Sequence, residues 1–233
     1  LPIRPPKEAL EIISKSSSSR AQKLLLSSLI TQSRSFLYDF ASGDEELLIL
    51  DVTHFLNHRV NTRLVDAIGL ELAEMIAPFT PDLILTAPSS GNIPAFSTSL
   101  HLEHMPDVVY APKGMPITMR EVYQARSRSY THGKTVDLTV AQDCLPEGAR
   151  VAVCDDFLDT GKTALDLVEI ITLARAEPVV FFYCIEKPFS GREKLISAGF
   201  SDDQILSLIK IESMREGKLK IAGFDCWFEL ART

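Results

Sequence analysis

The chain has 233 residues, 45% hydrophobic and 24% charged, which suits a globular protein with a sizeable core. A formal net charge of −7 excludes general nucleic-acid binding, which needs a basic face, and the longest apolar run, residues 179–185, is far too short to span a bilayer. No secretory signal is recognisable, and four cysteines without a C-x-x-C spacing suit a reduced, cytoplasmic setting with no membrane partner.

Residues 1–45 read as an N-terminal extension. "LPIRPP" offers few regular hydrogen bonds, and "SKSSSSR" suits a loose or helix-capping stretch. "AQKLLLSSLITQSRSFLYDF" places Leu25, Leu29, Phe36 and Phe40 near one helical face, predicting an amphipathic helix that docks on the domain or on a partner subunit. From residue 47 the pattern alternates. "LLILDV" reads as a strand, and "NTRLVDAIGLELAEMIAPF" as a helix with a cap-like Asn61-Thr62 pair and an apolar stripe through Val65, Ile68 and Leu72, ended by Pro78 and Pro81. "DLILTA" is a strand, "PSSGN" a turn, and a helix follows from about Pro94. "DVVYA" and "RVAVC" are strands on either side of an irregular middle, 114–147. "GKTALDLVEIITLAR" is a helix, "PVVFFYCI" a strand, and "GREKLISAG" a short helix ended by Gly199. Alternation with continuously apolar strands predicts an α/β domain over 46–233, with a Rossmann-like, mostly parallel sheet and helices on both faces.

The candidate site lies in "VAVCDDFLDTGKTALDLV", residues 151–168. Ligands of open parallel sheets bind at the carboxyl ends of the strands, so Asp155, Asp156 and the loop after them share that edge. Asp159, Thr160, Gly161, Lys162 and Thr163 lead into a helix N-terminus, where free amides and the macrodipole receive an anion. The loop is no Walker A motif, because Asp156 stands where that pattern needs glycine. The acids repel phosphate and make sense beside sugar hydroxyls or a bridging Mg²⁺. A ribose 5-phosphate group meets that description.

"VAVCDDFLDTGKTA" resembles the signature of type I phosphoribosyltransferases, and "FLNHRV", "SSGNIPA", "IEKPFSGREKL" and "MREGKL" sharpen the likeness toward xanthine phosphoribosyltransferases over roughly residues 47–222. The resemblance implies the type I fold with a flexible flap at 114–147 and a small hood. It implies transfer of a purine base, xanthine first, onto phosphoribosyl pyrophosphate (PRPP) with Mg²⁺ as cofactor, usually in a homodimer. In that pattern Asp155 and Asp156 meet the ribose hydroxyls directly or through water and Mg²⁺, residues 159–163 wrap the 5-phosphate, and Ser89, Ser90 and Gly91 face the pyrophosphate, often beside a non-proline cis peptide. Lys113 approaches the pyrophosphate, although Pro112 and Met115 replace basic residues of the family, and Arg120, Arg126 and Arg128 on the flap stand to compensate. Leu50, Asn57 and Lys187 contact the base. Lys187 offers only donors, which suits the carbonyl oxygens of xanthine, while "GREKL" also occurs in adenine phosphoribosyltransferases. A mutually paired Glu186–Lys187 at a strand end is the plainer reading. His101 and His104 form no metal motif. A regulator that senses phosphoribosyl pyrophosphate is the alternative from another class, disfavoured by the intact loop and the acidic chain.

Overall fold

In the computed structural model the described residues are 1–39, 46–128 and 135–231. The elements run β1 (Ile3–Arg4), α1 (Pro6–Lys15), α2 (Arg20–Gln32), β2 (Arg34–Asp39), β3 (Glu46–Asp51), a π turn (Thr53–Asn57), α3 (Thr62–Ile76), β4 (Leu83–Thr86), α4 (Asn92–His101), β5 (Asp107–Tyr110), β6 (Val122–Arg128), β7 (Thr135–Ala141), β8 (Arg150–Leu158), α5 (Lys162–Leu173), β9 (Glu177–Glu186), α6 (Gly191–Ser197), β10 (Ile205–Arg215), β11 (Lys218–Ile221) and β12 (Trp227–Glu229). The central sheet has the order β1-β12-β11-β10-β9-β8-β4-β5. Its β10-β9-β8-β4-β5 part is all parallel, and β11 and β12 extend it antiparallel. The expected α/β architecture with helices on both faces is therefore the one observed.

Period-two alternation on the buried strands splits the core in two. Ile84, Ala152, Cys154, Val180, Phe182 and Cys184 face one layer, with α1, α2 and α3. Leu85, Val151, Val153, Phe181 and Tyr183 face the other, with Leu167, Ile170 and Ile171 of α5 and Leu195 of α6. Residues 178–186 of β9 are buried or nearly so, as expected of a strand covered on both faces.

The N-terminal segment differs from its sequence reading. Ile3 and Arg4 pair in parallel with Trp227 and Phe228, so "LPIRPP" does join a sheet. The helix predicted to reach Phe40 ends at Gln32, and Phe36 lies on β2, an antiparallel partner of β3. The alternating aromatic and aliphatic residues of "SFLYD" suit that hairpin better than a helix; Phe40 falls outside the described residues. Ser19 caps α2 in a reciprocal capping box with Gln22. Ile13, Leu25, Leu26, Leu29 and Ile30 belong to the same core layer as β9 and β10.

The middle segment carries the β6–β7 hairpin, whose Ala125, Leu138 and Val140 sink into the layer around α5. Residues 129–134 of the flap expected at 114–147 lie outside the described residues. No described helix is long and apolar enough to cross a membrane.

The end of β9 is tied to α6 by charge. Arg192 donates from Nε and Nη2 to Glu186 Oε1 and Oε2 (2.8 and 2.6 Å), from Nη1 to Asp202 (2.7 Å), and from Nη2 to the carbonyl of Ile205 (2.9 Å). Lys210 Nζ lies 3.1 Å from Glu186, and Ser207 donates to it at 3.0 Å. Burial alone would raise the Glu186 carboxyl, but the Arg192 fork and Lys210 overcome it and hold the group below the ordinary glutamate value. Glu186 is therefore not paired with Lys187. Arg192→Ala strands a buried carboxylate and should cost about 3 kcal/mol, or roughly 6–12 °C in Tm by thermal melt. Glu186→Gln should flatten the acid limb of the stability curve, because the stability from its depressed carboxyl is present above about pH 4.3 and is lost as pH falls through the folded-state value.

Candidate active site

β8 delivers the two acids to the carboxyl edge of the sheet. Asp156 is 5% exposed, and Asp155 is half-buried. The amide of Asp156 donates to Asp155 Oδ1 (2.9 Å) and that of Phe157 to Asp156 Oδ1 (3.1 Å), so each carboxylate is held by the next backbone N–H. Burial first, and the neighbouring Asp156 charge second, push the Asp155 carboxyl well up.

After Leu158 the chain turns through residues 159–161 into α5. Gly161 has φ +76°, and a Cβ there would come within 2.9 Å of the Gly191 carbonyl oxygen. Gly191 meets the turn from the other side, its own hypothetical Cβ falling 2.4 Å from the Asp159 carbonyl oxygen. Close glycine contact thus seats the 159–161 turn on the start of α6. A cavity of about 170 Å³ is lined by residues 155–164, Tyr183 and Lys187. Its floor includes the first turn of α5, whose amides have no partner within the helix. Lys162 spends its ammonium on Asp166 (3.0 and 3.1 Å), so its offer to an anion in this arrangement is its backbone.

Lys187 reaches the same cavity. Its Nζ is 3.0 Å from Asp159 Oδ2 and 4.5 Å from the centroid of the Phe157 ring, and its side chain is only 10% exposed. A strand-end lysine is usually solvated, and this one is sheltered between the Asp159 carboxylate and an aromatic face.

The "PSSGN" turn follows β4, the neighbour of β8. The Pro88–Ser89 peptide is cis, as the resemblance implied for this loop. Gly91 lies against the acids: a Cβ on it would fall 2.3 Å from Thr86 Oγ1 and 2.8 Å from Asp155 Oδ1. Gly91 therefore borders Asp155, and none of Ser89, Ser90 and Gly91 lines the cavity itself.

Other expected site residues stand apart from it. Leu50 is 4% exposed and packs in the first core layer, and Asn57 is half-buried on the π turn after β3; neither lines the cavity. Lys113 is exposed on the β5–β6 connection, where its backbone bridges Leu138. Arg120 is exposed before β6, while Arg126 and Arg128 lie on β6. Sequence reasoning passed over Phe157, Tyr183 and Thr86. Phe157 and Tyr183 alternate with core residues on apolar strands and carry no local motif. Thr86 ends a short apolar strand and reads as filler.

Among the described residues no cluster of three or more His, Cys, Asp or Glu could hold a metal unaided. The two adjacent carboxylates do suit Mg²⁺, which commonly takes one or two carboxylates plus substrate oxygens and water.

No family model matches the chain. The xanthine phosphoribosyltransferase of Chloroflexus aurantiacus is 40% identical over 177 residues, which cover 76% of this chain and 82% of that protein. Those of Geobacillus thermodenitrificans and Staphylococcus saprophyticus are 37% and 36% identical, over 74% and 75% of this chain and 87% and 89% of theirs. Among solved structures, the adenine phosphoribosyltransferase of Thermoanaerobacter pseudethanolicus has a TM-score of 0.60 at 22% identity, covering 76% of this chain and 95% of that one. The enzyme of that name from Leishmania donovani has 0.63 at 20% identity, covering 84% and 81%. At such identity the structural likeness establishes a common fold.

Asp155→Asn removes a charge that burial and Asp156 both disfavour, so the variant should melt higher than the parent, by about 2–4 °C for each kcal/mol of relief. The folded Asp155 carboxyl lies above its free-chain value of about 3.9, so the stability it contributes is complete below that pH and is lost as pH rises. Melts across pH should therefore show the two proteins close at about pH 4 and separating toward neutrality.

Proposed function

The chain belongs to the xanthine phosphoribosyltransferase family, and on that premise we propose that it joins xanthine to PRPP, forming xanthosine 5-monophosphate and pyrophosphate in purine salvage. The observation that carries this reading is the paired acids at the end of β8 followed by a left-handed glycine and an open helix N-terminus. That order of groups suits a phosphate monoester with sugar hydroxyls beside it.

Residues 159–163 hold the 5-phosphate through the first-turn amides of α5 and the hydroxyls of Thr160 and Thr163, reinforced by the helix dipole. Asp155 and Asp156 accept hydrogen bonds from the ribose hydroxyls. Their side chains, with pyrophosphate and ribose oxygens, would also hold Mg²⁺, which when bound neutralises the leaving pyrophosphate. A purine nitrogen then displaces pyrophosphate from C1 of the ribose through an oxocarbenium-like state. The protein's share is to fix the ribose, gather charge where the leaving group departs, and shield the centre from water. Ser89, Ser90, Gly91 and Lys113 serve the pyrophosphate. Lys187 gives hydrogen bonds to the oxygens of the base, and its place beside the cavity supports that role. In this reading Asn57 and the backbone of Leu50, on the hood formed by β2, β3 and the π turn, border the base site. Phe96, Leu100, Met105 and Tyr110 expose apolar surface along α4 and β5, which supports a homodimer.

Pyrophosphate release should be measured with PRPP and Mg²⁺ against xanthine, guanine, hypoxanthine, adenine and orotate. Xanthine should turn over best, and Lys187→Ala should raise the xanthine KM about 10- to 100-fold, as expected for a lost charged hydrogen bond. Turnover confined to adenine would overturn the assignment of Lys187 and of the base.

A further inference from the structure

Two buried hydroxyls flank Asp155 with nothing to bond. Thr86 Oγ1 and Tyr183 OH are inaccessible to solvent and have no hydrogen-bond partner among the described residues. They sit on the strands either side of β8. Thr86 is the last residue of β4 and pairs in register with Cys154, whereas Tyr183 on β9 pairs with Asp155 itself. Both side chains are buried, at 0% and 1% exposure. Thr86 Oγ1 and Asp155 Oδ1 both lie within 3 Å of one point, where a Cβ of residue 91 would stand. Tyr183 lines the same cavity as Asp155, Asp156 and the phosphate loop.

Leaving a buried hydroxyl unbonded is costly, and a strand would carry Val or Phe at these places if packing were all that mattered. Each hydroxyl can donate one hydrogen bond. Asp155 has spare acceptor capacity, since a carboxylate offers about four acceptor sites and the Asp156 amide takes one, on Oδ1. We propose that Thr86 and Tyr183 are positioning residues for Asp155: their hydroxyls take hold of its carboxylate when it turns to accept the ribose hydroxyls of the phosphoribosyl substrate. The Asp156 amide holds one oxygen of Asp155, and two fixed donors on neighbouring strands would hold the carboxylate in a single orientation. This inference rests on the phosphoribosyl reading of the cavity and adds to it the groups that aim the acid.

Tyr183→Phe and Thr86→Val keep shape and remove only the hydroxyls. Three readouts serve: the Tm of the free protein, the Kd for ribose 5-phosphate with Mg²⁺, and the Kd for inorganic phosphate. Both variants should melt at or above the parent and bind inorganic phosphate as it does. Each should bind ribose 5-phosphate about 5- to 20-fold more weakly, the loss of one useful hydrogen bond. Unchanged ribose 5-phosphate binding would overturn the proposal and make the hydroxyls bystanders. A lower Tm with equal loss of both ligands would overturn it in favour of a merely structural role. A parent protein that binds inorganic phosphate but gains nothing from the ribose would sink the phosphoribosyl reading, and this inference with it. Parent binding that prefers ribose 5-phosphate, with indifferent variants, would sink this inference alone.

Discussion

Two like charges on consecutive residues at the end of a central, buried strand form the constraint around which the molecule is arranged. Asp155 and Asp156 cannot separate, because β8 is fixed between β4 and β9, and the sheet leaves little water to screen them. Each carboxylate takes the amide of its successor, which offsets part of the cost. The positive end of α5 lies nearby, whereas Lys187 spends its ammonium on Asp159.

Holding the turn between β8 and α5 in place is the second requirement. The turn after Leu158 has no apolar side chain that could bury it, so its position depends on backbone meeting backbone. Gly161 and Gly191 permit that approach, and the Glu186–Arg192 fork fixes the start of α6 from behind. Lys187 stands between these two devices, at the last turn of the chain before α6. Its contact with Asp159 links the place where the base would be read to the loop where phosphate would bind.

The remaining pieces close the sheet and attach the hood. The β10–β11 hairpin, β12 and β1 carry the sheet beyond its parallel part, and α1 and α2 cover the face it exposes. Gln22 of α2 donates to the Leu208 carbonyl, and the Ser19 hydroxyl meets Glu71 on α3. The β2–β3 hairpin is fastened through Ser35, which donates to the Arg215 carbonyl and accepts from the Gly217 amide. "MREGKL", noticed in the sequence as a motif, thus serves as a turn that anchors the hood.

Local signals made much of this legible. Continuous apolar runs identified β4, β8 and β9, and an Asn cap with an i, i+3, i+4 stripe identified α3. The order strand, acids, glycine, helix placed the end of β8, the left-handed turn at Gly161 and the start of α5 where the structure has them, because strand ends, left-handed turns and helix N-termini are set by neighbours in the chain. The same local logic misled at residues 34–39, where a strand depends on a partner 7 to 17 residues further along the chain, and it was silent about β10, β11 and β12. What lies beside what across the sheet was beyond it. Whether Lys187 meets Glu186 or Asp159, whether Leu50 lines a pocket or a core, and that Thr86 and Tyr183 flank Asp155 depend on strand order and register. Those are decided by how the whole chain buries its apolar surface at once, and no short stretch of sequence contains that information.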